Sequence, residues 1–201
     1  MQKNNASFLE KKENFINLTL VRHSQTDWNK AGIMQGQKNV ELNSVGREDA
    51  RRLSEEIKNK SFDIIFSSPL KRCKETADIV NTFDLEIEYD DRLKERSYGK
   101  FEGYKTKDIL KKYPDIKTFE KNGLPYWIEV PTAETYDEVR ERVENFLNEL
   151  KKKHRGMNVL IVSHGDTLDM FYAVLNNVTN EDAYGKFSKN THAVDYEIMS
   201  E

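Results

Sequence analysis

Cysteine, proline and long apolar runs are what this chain has least of. A single cysteine, Cys73, excludes an internal disulfide and fits a reducing compartment. The four histidines are scattered, so no Cys/His cluster of zinc-site spacing exists in the sequence. No apolar run is long enough to cross a bilayer as a helix. Met1 to Asn14 is polar and charged, without the apolar stretch of a signal peptide. Residues 1–14 are therefore expected to be a flexible extension and the protein to be cytoplasmic, with no membrane among its partners. Only four prolines and nine glycines are spread over the 201 residues. No Pro/Gly-rich linker, repeat or low-complexity tract divides them, so residues 15–201 are expected to form one domain with a substantial core. Excess positive charge is also missing. A net charge of −3 gives no reason to expect a nucleic-acid partner. Positive charge for an anionic ligand must then be local.

Three places supply it. The run Phe15-Ile16-Asn17-Leu18-Thr19-Leu20-Val21 ends in Arg22-His23-Ser24-Gln25-Thr26. The run Phe62-Asp63-Ile64-Ile65-Phe66 ends in Ser67-Ser68-Pro69-Leu70-Lys71-Arg72. The run Met157-Asn158-Val159-Leu160-Ile161-Val162 ends in Ser163-His164-Gly165. Each is a short β-rich run that stops at a polar turn and feeds a helical pattern. Ligands of open α/β sheets sit outside the carboxyl ends of parallel strands. If the three runs are parallel neighbours, Arg22, His23, Arg72 and His164 converge on one pocket. Imidazole can attack phosphorus and guanidinium can hold its oxygens, so the pocket reads as a phosphoryl site.

Between these runs the pattern alternates helix and strand. A helix is expected over Ser44 to Asn59, with Ala50, Leu53 and Ile57 inward. Another is expected to open with Ser68 as N-cap and Pro69 at the first position, turning Cys73, Ala77 and Val80 inward and placing Arg72 in a first turn that favours an anion. Leu85 to Tyr89 reads as a short strand, and Thr106 to Val130 as short helices and loops broken at Tyr113-Pro114 and Leu124-Pro125. Thr135-Tyr136-Asp137-Glu138 is a capping box. Its helix ends in Lys151-Lys152-Lys153-His154-Arg155 before a C′ glycine, Gly156. Leu168, Phe171, Tyr172 and Leu175 mark a further helix, and Ala193 to Met199 a last strand. The fold class is α/β: a three-layer α/β/α sandwich on a mostly parallel sheet with one antiparallel edge strand.

With these blocks in order, the chain resembles the histidine phosphatase superfamily in its phosphoglycerate-mutase-like branch, from about Leu18 to Ile198. Arg22-His23-Ser24-Gln25-Thr26-Asp27-Trp28-Asn29 resembles the opening motif, with Ser24 where glycine is usual. Gln35-Gly36 and Glu41-Leu42-Asn43-Ser44-Val45-Gly46 resemble the next loop, and Ser67 to Arg72 the Ser-Ser-Pro-x-x-Arg signature. Arg92 to Gly103 resembles the segment bearing the family's acid, and Ser163-His164-Gly165 the second histidine motif. Ala133-Glu134-Thr135 stands where Gly-Glu-Ser is common.

The resemblance implies phosphoryl transfer through a phosphohistidine. His23 would be the nucleophile, its other nitrogen donating to a fixed acceptor such as a backbone carbonyl. Arg22, Arg72 and His164 would hold the phosphoryl oxygens, with Asn29 a neutral donor. Gln35, Gly36, Tyr98 and Gly165 join them as candidate phosphate- or substrate-binding positions. Glu95 would serve the leaving oxygen and then the attacking water, which requires a raised pKa against the pull of the arginines. No metal or cofactor is implied.

Plainer readings stand beside these. A lone histidine is more often structural, and His154 reads as solvated and His192 as structural or exposed. Glu88, Asp90, Asp91 and Glu102 compete with Glu95 for its role. Cys73 reads as a small buried side chain. Trp28, Tyr98, Tyr126 and Trp127 can wall a pocket or pack the core. The chain lacks the mutase insertion with its paired arginines, and Thr106 replaces a common lysine between Lys105 and Lys107. Water is therefore the expected acceptor and a small phosphorylated metabolite the expected partner. Mutase-type transfer is the alternative, and a non-catalytic phosphate-binding module comes third. Nothing in the sequence indicates a homo-oligomer, though an edge strand could pair.

Overall fold

Residues 14–121, 124–127, 130–188 and 192–201 are described by a computed structural model. In chain order the elements are β1 (Phe15–Arg22), α1 (Asp27–Ala31), α2 (Ser44–Ile57), β2 (Ile64–Ser67), α3 (Lys71–Val80), β3 (Ile87–Tyr89) and α4 (Thr106–Lys112). They continue with β4 (Thr118–Lys121), β5 (Leu124–Trp127), α5 (Tyr136–Lys153), β6 (Asn158–Ser163), α6 (Gly165–Leu175), α7 (Asn180–Ala183) and β7 (Ala193–Met199).

Strand periodicity decides the layering. On β6, Val159 and Ile161 join a cluster with Val139, Val143, Phe146 and Leu147 of α5 and Phe171 of α6. Their neighbours Leu160 and Val162 point the other way, to Leu53 and Ile57 of α2 and Cys73, Ala77 and Val80 of α3. A strand apolar on both faces must be covered on both, which yields the three-layer sandwich. Each fully buried aliphatic side chain contributes about 1.5–3 kcal/mol. The sheet order is β3-β2-β6-β1-β7. The first four strands run parallel, and β7 pairs antiparallel with β1 at the edge. Among the described residues no helix is long and apolar enough to cross a membrane.

Four local expectations need correction. Helix α3 opens at Lys71, not at Ser68-Pro69, and its N-cap Leu70 makes no side-chain cap bond. The Ser68 hydroxyl instead accepts from Leu70 N–H at 3.3 Å and lies 2.8 Å from His164 Nε2. The stretch from Thr106 to Val130 holds one helix, α4, and then an antiparallel hairpin, β4–β5, rather than helices and loops. Pro125 is tolerated there because a two-stranded hairpin consists only of edges. The strand expected from Leu85 begins at Ile87. His154 is half-buried rather than solvated, its ring edge-on to Phe66 at 5.3 Å. His192 is exposed. The capping box at Thr135 and Glu138 forms as read.

Candidate active site

The three polar turns meet because their strands are adjacent and level. Arg22 lies opposite Ser163, and Ser67 opposite Val162. The ladder runs one residue further on each side, with His23 N–H donating to Ser163 O at 2.9 Å and Ser68 N–H to Val162 O at 3.0 Å. Backbone pairing thus fixes the start of both turns. They open on a cavity of about 330 Å³ lined by Arg22, His23, Asn29, Gln35, Gly36, Arg72, Glu95, Tyr98, Gly165 and Asp166, among others. A larger hollow of about 620 Å³ lies behind Arg96, among Lys100, Tyr113, Ile116 and Val130. It contains neither His23 nor Glu95, so the smaller cavity is the candidate site.

His23 is buried and its Nδ1 sits 2.7 Å from the carbonyl of Ser24. A carbonyl only accepts, so Nδ1 carries the proton and Nε2 keeps its lone pair. Burial, then the charges of Arg72 and Arg22, hold the His23 pKa well below its usual value. The ring is therefore neutral with one nucleophilic nitrogen. Ser24 does not take a positive φ, which is why serine fits where the resembling family has glycine. Its amide donates to Thr76 Oγ1 at 3.1 Å, while its own hydroxyl is buried without a partner.

Arg72 is fully buried in the first turn of α3. Its Nε donates to His164 Nδ1 at 3.1 Å, its Nη1 to Lys38 O at 2.9 Å and its Nη2 to Gly36 O at 2.7 Å. His164 then bears its proton on Nε2, 2.8 Å from Ser68 Oγ. Burial and Arg72 hold its pKa well below the usual value too. Its ring lies 5.2 Å from that of His23, yet it is not on the cavity wall. It meets the site through Arg72 Nε and the His23 ring. Cys73 is buried beside it, 3.3 Å from Nε2, and burial pushes its thiol up, as expected of an unreactive core cysteine.

Glu95 lines the same cavity as His23. Its Oε1 accepts from the amides of Arg96 at 3.0 Å and Thr167 at 3.3 Å. Burial first, then the charge of Asp166, push its pKa up to about 7 against the pull of Arg72. The competition between desolvation and the arginines is won by desolvation. Asp166 accepts from the hydroxyls of Tyr98 at 2.6 Å and Tyr136 at 3.2 Å, with Arg96 Nη1 at 3.9 Å. Of the competitors for Glu95's role, Asp90 is paired with Arg92, and Glu102 ties the amides of Gln37 and Tyr98 together. Neither lines the cavity.

Asn29 and Gln35 reach the site through the capping box of α1. Thr26 N–H donates to Asn29 Oδ1 at 3.1 Å, which leaves the Asn29 amide nitrogen free as a donor on the cavity wall. Gln35 is held beside Thr26 at 3.0 Å. Gly36 has a φ of +49° and its missing side chain makes room for Glu102. At Gly165 an added Cβ would come within 3.3 Å of the Arg22 guanidinium carbon. Trp28 and Tyr126 wall the cavity, and Tyr126 stacks on Tyr184 with ring centroids 5.0 Å apart. The Trp127 side chain lies outside the described residues.

Asp166, Asp169, Tyr136 and Phe187 also line the cavity and are not singled out by the sequence. Asp166, next to Ser163-His164-Gly165, could be found by adjacency. The other three carry no local signal. Among the described residues no group of three or more His, Cys, Asp or Glu side chains is placed to hold a metal ion.

Comparison with known proteins gives consistent results. The family profile described as "Histidine phosphatase superfamily (branch 1)" matches residues 18–198. "Phosphoserine phosphatase 1" of Hydrogenobacter thermophilus is 33% identical over 165 residues, covering 81% of this chain and 77% of that protein. A "2,3-bisphosphoglycerate-dependent phosphoglycerate mutase" of Parvibaculum lavamentivorans is 32% identical, covering 82% and 81%. Among solved structures, Bacillus stearothermophilus YhfR superposes with a TM-score of 0.79 at 27% identity, over 90% of each chain.

Proposed function

The chain belongs to the histidine phosphatase superfamily, branch 1, and we propose that it hydrolyses a small phosphomonoester through a phosphohistidine on His23. The observation that carries this is the fixed tautomer of His23, with Nδ1 held by the Ser24 carbonyl, in one cavity with Arg22, Arg72 and Glu95, whose pKa is pushed up to about 7.

In the first step His23 Nε2 attacks phosphorus, the ester P–O bond breaks and the leaving oxygen takes the proton of Glu95. In the second, water attacks the phosphohistidine, Glu95 takes its proton, the N–P bond breaks and inorganic phosphate leaves. Arg22 and Arg72 neutralise the equatorial oxygens as charge moves, so no metal is required. A carboxyl near pKa 7 can both give and take a proton at neutral pH.

Water as acceptor is supported by what the cavity offers a second anionic group. Its described wall carries no cation besides Arg22 and Arg72, and Lys105 and Lys107 are exposed away from it. A mutase must hold a phosphoacid at both ends. Mutase-type transfer remains the second reading because a mutase is among the relatives. Phosphoserine leads the esters to test, on the strength of the phosphatase relative.

The test is phosphate release from a panel of phosphomonoesters in EDTA, with His23→Ala alongside. Release by the wild type that EDTA leaves intact and the variant lacks supports the reading. Phosphoglycerate isomerisation without release would replace it with the mutase.

A further inference from the structure

Arg22 meets two backbone carbonyls rather than a carboxylate. Its Nη1 donates to Phe187 O at 2.9 Å and also to Ser188 O. Neutral acceptors orient the guanidinium without cancelling the charge that a phosphate needs. Its Nε is buried and has no partner among the described residues. Those carbonyls belong to the segment after α7, which has no strand or long helix to hold it in place.

Asp169 supplies the anchor. It lies one turn after Gly165 on α6, so the two share a face turned to Arg22. It is 2% exposed. Its Oδ2 accepts from Gly185 N–H at 2.7 Å and its Oδ1 from Phe187 N–H at 2.8 Å. Gly185 has a φ of +80°, and an added Cβ would strike the Tyr126 hydroxyl at 2.5 Å. Both carboxyl oxygens accept an amide hydrogen of the segment, which fixes the carboxyl group where it lines the cavity.

We infer that Asp169 is a positioning residue, which fixes the 185–188 segment so that its carbonyls aim Arg22 at the phosphoryl group. The inference rests on the proposed function for its catalytic consequence, but not for its binding consequence. Each short amide bond needs an acceptor oxygen. Asparagine offers one and sets an N–H donor against the other amide; alanine offers none.

The experiment measures inorganic phosphate affinity by titration calorimetry and kcat/KM on the best ester. The proteins are wild type, Asp169→Asn, Asp169→Ala, Arg22→Ala and the double variants. Phosphate affinity and kcat/KM should each fall roughly tenfold to a hundredfold in Asp169→Asn, the scale of a misplaced catalytic group. The loss should vanish when Arg22 is already alanine, because the effect acts through that residue. Equal losses with and without Arg22 would overturn the inference, and so would a folded Asp169→Asn protein that binds phosphate like wild type. If Asp169→Ala fails to fold, the Asn variant carries the test. If the wild type releases no phosphate from any ester, the proposed function falls and the calorimetric cycle still decides the role of Asp169.

Discussion

Arg72 Nε donates to His164 Nδ1 at 3.1 Å, joining the first turn of one helix to the residue that precedes another, 92 positions away. The bond sets His164's tautomer and helps hold the guanidinium at the cavity wall. Arg72→Lys keeps a charge but loses the planar fork that serves three acceptors at once. The expected result is a fall in kcat of roughly a hundredfold or more, the typical cost of removing one transition-state donor. His164→Ala should act in the same direction. The two losses should not add, because both remove the same held guanidinium. Steady-state kinetics of the two single variants and the double variant check this.

The pH profile should report Glu95. The first step needs it protonated, and its pKa stands at about 7, so kcat/KM should fall as pH rises through that value. His23 stays neutral in the same range, since its pKa is held well below the usual one. Asp166 is the largest charge raising the Glu95 value. Asp166→Asn should therefore move the descending limb to lower pH. A limb that stays in place would mean that another group is being titrated.

Glu95 also links stability to pH. Its folded value lies above the ordinary 4.5, so the folded state binds the proton more tightly than the unfolded state. Between about pH 4.5 and 7 the native carboxyl then costs progressively more stability as pH rises. Glu95→Gln removes that cost. The difference in Tm, variant minus wild type, should grow in the variant's favour across this window and level off above it. Thermal melts at four or five pH values suffice.

Ser24→Ala should be harmless. The His23 bond is made by the Ser24 carbonyl, which alanine retains, and the lost hydroxyl is buried without a partner. Removing an unsatisfied buried group should stabilise by about 1 kcal/mol, with kcat unchanged. A large loss of activity would show that the hydroxyl touches the substrate.

The strand-end constellation was legible because both of its causes are local. A short aliphatic run predicts the strand, and the Arg22-His23 and Ser163-His164-Gly165 turns sit directly at its end. The place of Arg72 in the first turn of its helix was legible in the same way, but its full burial was not. The hairpin over Thr118–Trp127 was not legible, since Pro125 reads as a strand breaker until the strand proves to have only edges. The charges that tune the site were also hidden. Asp166 raises Glu95 from 71 positions away in sequence, and Phe187 meets Arg22 across 165. No local pattern reports a contact made only when the sheet closes.

The most direct test of the account is rapid-quench trapping of the enzyme during turnover of a phosphorus-labelled ester, followed by peptide mapping. The account predicts a covalent label that survives base and is lost in acid, carried by His23 and absent from His23→Ala. Turnover by the wild type with no phosphoenzyme, or a label on any other residue, would contradict it.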